Sequence, residues 1–263
     1  MIYLFSDAGL SALRRFINSS TLCAFDLDGT LAPIVPEPDG VLVPEDIRTG
    51  LIRLNGIVPV AVITGRARSD AQKHLGFPPR FIIGNHGAEG LPGLEQQEKP
   101  FYDQCLAWQR QLENLLPDAA YRGILIENKG ASLALHYRKA ADRGGAIRKI
   151  MEIIDKLEPS PRRISGKYVE NILPRGALNK GDAVLRLMHH AGCLRAIFVG
   201  DDVTDEDVFR LADGRIFGIH VGCEGISAAG HCLSDQRELA ALLHEMIRLI
   251  ASSGDADNEK NRA

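Results

Sequence analysis

A chain of 263 residues, 45% of them apolar, can bury a real core without metal or disulfide staples, as one large domain or as a core carrying an insert. A formal charge of -3, with Lys and Arg spread along the chain, argues against a nucleic-acid surface and leaves a neutral or anionic small molecule as the partner. Cys23, Cys105, Cys193, Cys223 and Cys232 show no C-x-x-C or Cys/His spacing, so neither a disulfide framework nor zinc is expected.

In chain order, Leu10, Leu13, Phe16 and Ile17 recur at helical spacing behind Ser6 and Asp7, which predicts a helix over 7–19. The short apolar stretch at the start is too brief for a signal, and no later apolar run approaches membrane-spanning length. A soluble, cytoplasmic monomer with no membrane partner is expected. Short apolar runs at 21–25, 58–63, 81–83, 196–199 and 215–221 end in polar residues or glycine and read as buried parallel strands. Helical patterns at 45–55, 67–75, 179–191, 204–212 and 236–250 alternate with them, as in an α/β doubly wound, Rossmann-like core.

Residues 101–116 and 141–157 read as helices, each followed by a hairpin, at 124–138 through Asn128-Lys129-Gly130 and at 162–173 around Ser165-Gly166. This α+β unit, 99–174, interrupts the alternation and is expected to be an inserted smaller cap domain between two core segments, 1–98 and 175–263. The polar tail from about 252 to 263 is expected to be disordered.

The chemistry lies at the predicted strand ends, where ligands of open α/β sheets bind. Asp26 and Asp28, at i and i+2 before Gly29, supply one attacking oxygen and one proton carrier. Alone, D-x-D-G is as readily an acidic turn. A second acidic run, Asp201-Asp202-Val203-Thr204-Asp205-Glu206-Asp207, follows another strand and calls for a compensating cation. Asp201, nearest the strand, is the best ligand, and an oxygen-only set favours Mg2+. Thr64, Gly65 and Arg66 end a strand at a helix start and suit phosphate oxygens, while Lys180 can neutralise the nucleophile and the phosphoryl group. Each fragment is weak by itself. Together they supply nucleophile, anion cradle, cation and metal for phosphoryl transfer.

These fragments resemble, in order, the motifs of the haloacid dehalogenase superfamily of phosphatases. The resemblance implies an aspartyl-phosphate on Asp26, with Asp28 protonating the leaving oxygen and then activating water. It implies Thr64 and Lys180 on the phosphoryl group, and Mg2+ held by Asp26, the Asp28 carbonyl and Asp201, supported by Asp205. Gly84-Asn85-His86-Gly87-Ala88-Glu89, Glu127-Asn128-Lys129-Gly130, Leu135-His136-Tyr137-Arg138 and Gly166-Lys167-Tyr168-Val169-Glu170 are similar to patterns of the trehalose-6-phosphate phosphatases. By that resemblance Glu127, Lys129, Arg138 and Glu170 would bind sugar hydroxyls of a small sugar phosphate, with Asn85, His86 and Lys167 as further candidates. The plainer reading of the cap residues is surface charge on a half-exposed sheet. Competing functions are a sucrose-phosphate or mannosyl-phosphoglycerate phosphatase, a phosphomutase, and a non-catalytic sugar-phosphate sensor.

Overall fold

The computed structural model describes residues 1–35, 40–116, 123–211 and 213–260. The chain divides into two compact units, Met1–Pro92 with Asn179–Ala263, and Gly93–Leu178. The first begins with β1 (Ile2–Tyr3), α1 (Asp7–Phe16), β2 (Thr21–Phe25), α2 (Glu45–Asn55), β3 (Val60–Ile63), α3 (Arg68–Leu75) and β4 (Phe81–Ile83). The second follows as α4 (Glu95–Leu115), β5 (Leu125–Asn128), β6 (Leu133–His136), α5 (Arg143–Ile154), β7 (Arg162–Gly166) and β8 (Val169–Leu173). The chain then completes the first with α6 (Lys180–Ala191), β9 (Arg195–Gly200), α7 (Glu206–Phe209), β10 (Ile216–Val221), β11 (His231–Leu233) and α8 (Leu239–Lys260).

Among the described residues the first unit holds a parallel sheet in the order β1-β11-β10-β9-β2-β3-β4. Every residue of β2 and β3 is buried, as continuous apolar runs require of strands covered on both faces. From β2 the chain proceeds outward through β3 and β4, whereas β9, on its other side, leads outward through β10 and β11. The strand order therefore reverses between β2 and β9, where an open α/β sheet leaves a crevice at its carboxyl edge. Asp26 and Asp201 are the first residues past those two strands.

Leu13, Leu51, Val60, Val62, Leu242 and Met246 belong to one continuous buried cluster. At about 1.5–3 kcal/mol for each large apolar side chain, that core holds without a covalent staple. A disulfide is nevertheless present, contrary to the expectation from spacing: Cys223 and Cys232 are bonded. Sheet register makes the pair, since His220 stands opposite Cys232 on the neighbouring parallel strand and Cys223 lies two residues past the strand's end. Cys23, Cys105 and Cys193 are free and buried.

In the second unit an antiparallel sheet in the order β5-β6-β8-β7 packs Leu133, Leu135 and Ile172 against Trp108 and Leu112 of α4 and Ile150 and Ile153 of α5. Its second hairpin turns at Lys167-Tyr168, two residues beyond the predicted centre, with Tyr168 in the left-handed region at φ 65°. Helix α4 starts six residues earlier than predicted and carries Pro100 inside it, which removes the bond to the Gln96 carbonyl. Helix α8 continues past the predicted 236–250 to Lys260, and residues 261–263 of the predicted tail lie outside the described residues. The Ser252 hydroxyl donates to the Arg248 and Leu249 carbonyls, so a polar residue is satisfied within the helix. Among the described residues no helix is long and apolar enough to cross a membrane.

Candidate active site

The β2 carboxyl end delivers Asp26, whose N–H donates to the Val199 carbonyl of β9 (2.9 Å). The chain then reverses through Gly29 at φ 91°, where a Cβ would stand 2.1 Å from an Asp201 carboxylate oxygen. Only glycine lets the first acidic loop approach the second so closely. Thr30, in the same turn, donates its hydroxyl to Asp201 Oδ1 (2.9 Å).

The loop after β9 is organised by Asp205. Its Oδ2 accepts from the backbone N–H groups of Asp201 and Asp202, both at 2.9 Å. Its Oδ1 accepts from Lys180 Nζ at 2.7 Å. This inward fold replaces the start of the helix predicted over 204–212 by a short 3-10 turn at Val203–Asp205 and leaves a four-residue α7. Glu206, next in sequence, holds the following loop by accepting from Ser227 Oγ and the Ala228 N–H.

Lys180 opens α6, whose start is fixed by a reciprocal capping box between Asn179 and Asp182. Its side chain is 2% exposed, and the ammonium reaches Asp26 Oδ1 and Asp205 Oδ1, each at 2.7 Å. Burial alone would lower its pKa, but Asp205 and Asp26 outweigh burial and hold it above the ordinary lysine range. The lysine stays charged. Burial pushes Asp26 well above the usual carboxylate range, opposed by Lys180 and reinforced by Asp205 and Asp201. Burial, followed by Asp205, raises Asp201 to about 7.

Carboxylate oxygens of Asp26, Asp201 and Asp205 lie within 4.8 Å of one another. An all-oxygen set under mutual repulsion fits a hard divalent cation such as Mg2+. Asp205 already uses both oxygens on Lys180 and the loop, so Asp26 and Asp201 are the carboxylates best able to ligate. The sign of the pH effect follows. A carboxyl at about 7 in the fold, against 3.8 for the free group, binds more protons folded than unfolded between those values. Its contribution to stability is therefore full below the lower value and lost as pH rises through the upper one. A divalent cation competes with those protons, so 5–10 mM Mg2+ is expected to raise the melting temperature by roughly 5–10 °C at pH 8 and by far less at pH 5. Thermal melts in Mg2+ and in EDTA at both pH values check this, and an equal gain at both would remove the cluster as the cation site.

Thr64, Gly65 and Arg66 follow β3. Thr64 is buried, its Oγ1 accepting from the Arg66 N–H (3.2 Å) and its carbonyl from the His86 N–H (2.9 Å). A Cβ on Gly65 would stand 2.4 Å from the His86 ring, so Gly65 is required for that ring to pack there. Asn85 and His86 are both left-handed, at φ 51° and 59°, a conformation that costs non-glycine residues energy unless neighbours enforce it. Glu89 is one such neighbour: its Oε2 accepts from Asn85 Nδ2 and the Arg68 N–H, each at 2.8 Å. Arg66 turns to Asp28, donating from Nε to Oδ2 (2.7 Å) and from Nη2 to Oδ1 (2.8 Å), while Nη1 donates to Asp70 Oδ2 (2.8 Å). The residue expected on phosphate thus grips the expected proton carrier in a bidentate fork.

In the second unit, strand register sorts the remaining candidates. Glu127, Ala134 and Asn171 are aligned across β5, β6 and β8, and Leu125, His136 and Val169 lie on that same face. Glu127 Oε2 and His136 Nε2 are 2.8 Å apart, and Lys129 Nζ is 3.5 Å from Asn171 Oδ1. Glu170 stands opposite Leu135, on the face packed by the two helices, buried and accepting from the Ser165 hydroxyl at 2.9 Å. Arg138 and Lys167 are exposed in turns. Asn171 was not a sequence candidate, and only the parity of the register brings it beside Lys129.

A doubly wound core with acidic loops at its switch point and an interposed α+β unit defines the fold of the haloacid dehalogenase class of phosphatases. Residues 24–224 match the family model described as trehalose-phosphatase. The chain is 35% identical over 202 residues to the trehalose-6-phosphate phosphatase of Escherichia coli K12, covering 75% of each protein. It is 36% identical over 220 residues to a probable trehalose-phosphate phosphatase of Sinorhizobium fredii, covering 81% of this chain and 80% of that one. The chain belongs to the trehalose-phosphatase family, and it is a phosphoric monoester hydrolase. The fold is also that of the C-terminal domain of C. albicans trehalose-6-phosphate phosphatase, with a TM-score of 0.70 at 20% identity over 95% of this chain and 100% of that one.

Proposed function

We propose that the protein hydrolyses trehalose 6-phosphate to trehalose and phosphate through an aspartyl-phosphate on Asp26. The observation that carries the reading is the buried Lys180 ammonium, 2.7 Å from both Asp26 and Asp205, with Asp201 in the same carboxylate cluster. A carboxylate oxygen of Asp26 attacks phosphorus, the bond from phosphorus to the sugar oxygen breaks, and Asp28 gives that oxygen its proton. Water then attacks phosphorus, losing a proton to Asp28, and the bond to Asp26 breaks. Lys180, Thr64 and nearby backbone N–H groups hold the non-bridging oxygens. Mg2+, held by Asp26, the Asp28 carbonyl and Asp201, would neutralise charge on the phosphoryl group. Asp205 acts behind this set by fixing Lys180 and the loop that carries Asp201.

Sugar recognition is assigned to the face of the antiparallel sheet opposite its two helices, in the inserted cap unit, through Glu127, Lys129, His136 and Asn171. Paired charged and amide groups suit a polyol, which offers donors and acceptors at each hydroxyl. Glu127→Ala and Lys129→Ala should each raise KM for the sugar phosphate about tenfold, with much smaller losses on an aryl phosphate. Equal losses on both substrates in steady-state kinetics would withdraw the assignment. The whole reading is tested by phosphate release with Mg2+ and with EDTA, across trehalose 6-phosphate, sucrose 6-phosphate, glucose 6-phosphate and an aryl phosphate. Preference for trehalose 6-phosphate, lost on chelation, is expected; preference for sucrose 6-phosphate would replace the substrate and keep the chemistry.

A further inference from the structure

Asp28 does not stand alone at the strand end. Both of its oxygens are taken by one guanidinium, and that guanidinium is itself held from behind. Arg66 Nη1 donates to Asp70 Oδ2 (2.8 Å), and Asp70 Oδ1 lies 3.5 Å from His74 Nε2 one turn further along α3. The opposite ring nitrogen, His74 Nδ1, is 2.9 Å from the Val41 carbonyl. Hydrogen bonds therefore run from the proposed proton carrier through Arg66 to Asp70, and His74, held at the Val41 carbonyl, lies behind that carboxylate without a hydrogen bond to it.

We propose that Asp70 is a positioning residue for phosphoryl transfer: it fixes Arg66, and through Arg66 it aims the carboxylate of Asp28. The inference rests on Asp28 as the proton carrier. An ordinary surface ion pair would explain little here, because the Arg66 side chain is only 12% exposed and precedes α3 rather than lying along it. Arginine also suits the task where lysine would not. Its planar fork binds both oxygens of Asp28 with two nitrogens and leaves a third for Asp70.

The arrangement has a consequence during turnover. When an Asp28 oxygen takes up its proton, it ceases to be a full acceptor and one bond from Arg66 must lengthen. Without Asp70 the guanidinium loses its anchor at Nη1 and follows that bond, and the proton leaves the line to the departing sugar oxygen. With Asp70 in place, Nη1 stays anchored and the fork keeps its plane. Burial alone would raise the Asp70 carboxyl, but the Arg66 guanidinium outweighs it and holds the group below its ordinary range, so the anchor remains charged.

The test separates proton delivery from general damage. For a series of aryl phosphates, kcat/KM reports only the steps up to departure of the leaving group, so the water-activating role of Asp28 drops out. A general acid matters more as the leaving group becomes more basic. With full-length protein in Mg2+, Asp70→Asn is expected to steepen the fall of log kcat/KM with leaving-group pKa. It should lower kcat/KM for trehalose 6-phosphate about tenfold to a hundredfold, while a dinitrophenyl phosphate loses less than about threefold. Asp28→Asn, measured beside it, should steepen the line further. A steepened line for Asp28→Asn and a parallel one for Asp70→Asn would overturn the inference alone. An unchanged slope for Asp28→Asn would overturn the proton-carrier reading and the inference with it. Should Asp70→Asn not fold, Asp70→Ala carries the same test, since alanine favours the helix and removes both carboxylate oxygens from Arg66; a parallel line there would overturn the proposal equally.

Discussion

Asp26→Asn is expected to lower kcat on a sugar phosphate by at least about 10⁴-fold while leaving the chain folded. The amide matches the carboxylate in shape but has no charged oxygen with which to attack phosphorus. It also removes one of the three carboxylates that crowd together within 4.8 Å. Since burial and its neighbours already push Asp26 upward, and Lys180 keeps Asp205 as its partner, a neutral group there relieves repulsion and should cost little stability. Loss of turnover with an unchanged melting temperature would therefore identify a chemical role and not a structural one. Mass spectrometry after rapid quenching supplies a second check: the parent should carry one added phosphoryl group during turnover and the variant none. Retained turnover in Asp26→Asn would remove the residue from the role.

The parts of this site that were legible in the sequence are those fixed by strand ends. Thr21 to Phe25 and Ala196 to Val199 are continuous apolar runs, and such runs have few places to go except the middle of a parallel sheet. Once both are central, Asp26 and Asp201 must emerge at the same edge. The parts that were not legible depend on one side chain choosing among several partners. Asp205 reads from sequence as an acid near a helix start, yet it folds back onto the Asp201 and Asp202 amides and takes Lys180 as well. Arg66 reads as a phosphate ligand beside Thr64, yet its fork closes on Asp28.

In the antiparallel sheet a one-residue change of parity decides everything, because successive side chains point to opposite faces. The run Val169-Glu170-Asn171 does not say which of its polar residues faces outward. Pairing with β6 does, turning Glu170 toward Leu135 and Asn171 toward Glu127. The disulfide is a case of the same kind, since two cysteines nine residues apart carry no signal until β10 and β11 are aligned.

Lys180→Met is the substitution expected to harm stability most. The ammonium is the shared partner of Asp26 and Asp205, which are 4% and 0% exposed. Methionine nearly matches its volume and removes its charge, leaving buried carboxylates to face one another. Breaking a buried ion pair by removing one partner typically costs about 3–5 kcal/mol, because the remaining charge is neither hydrated nor paired. In melting temperature that is roughly 10 °C, on top of a loss of turnover like that of Asp26→Asn. The pH dependence gives the prediction its edge. Lys180 is charged across the whole accessible range, so its own titration does not enter. Asp26, by contrast, is pushed further upward in the variant by losing the counter-charge that opposes its rise, and protonation relieves it as pH falls. The gap in melting temperature between parent and variant, measured in EDTA, should therefore be widest near pH 8 and narrow toward pH 5. A gap that stays constant over that window would mean that the loss comes from packing around the lysine stem, and that the two carboxylates are stabilised by something other than its charge.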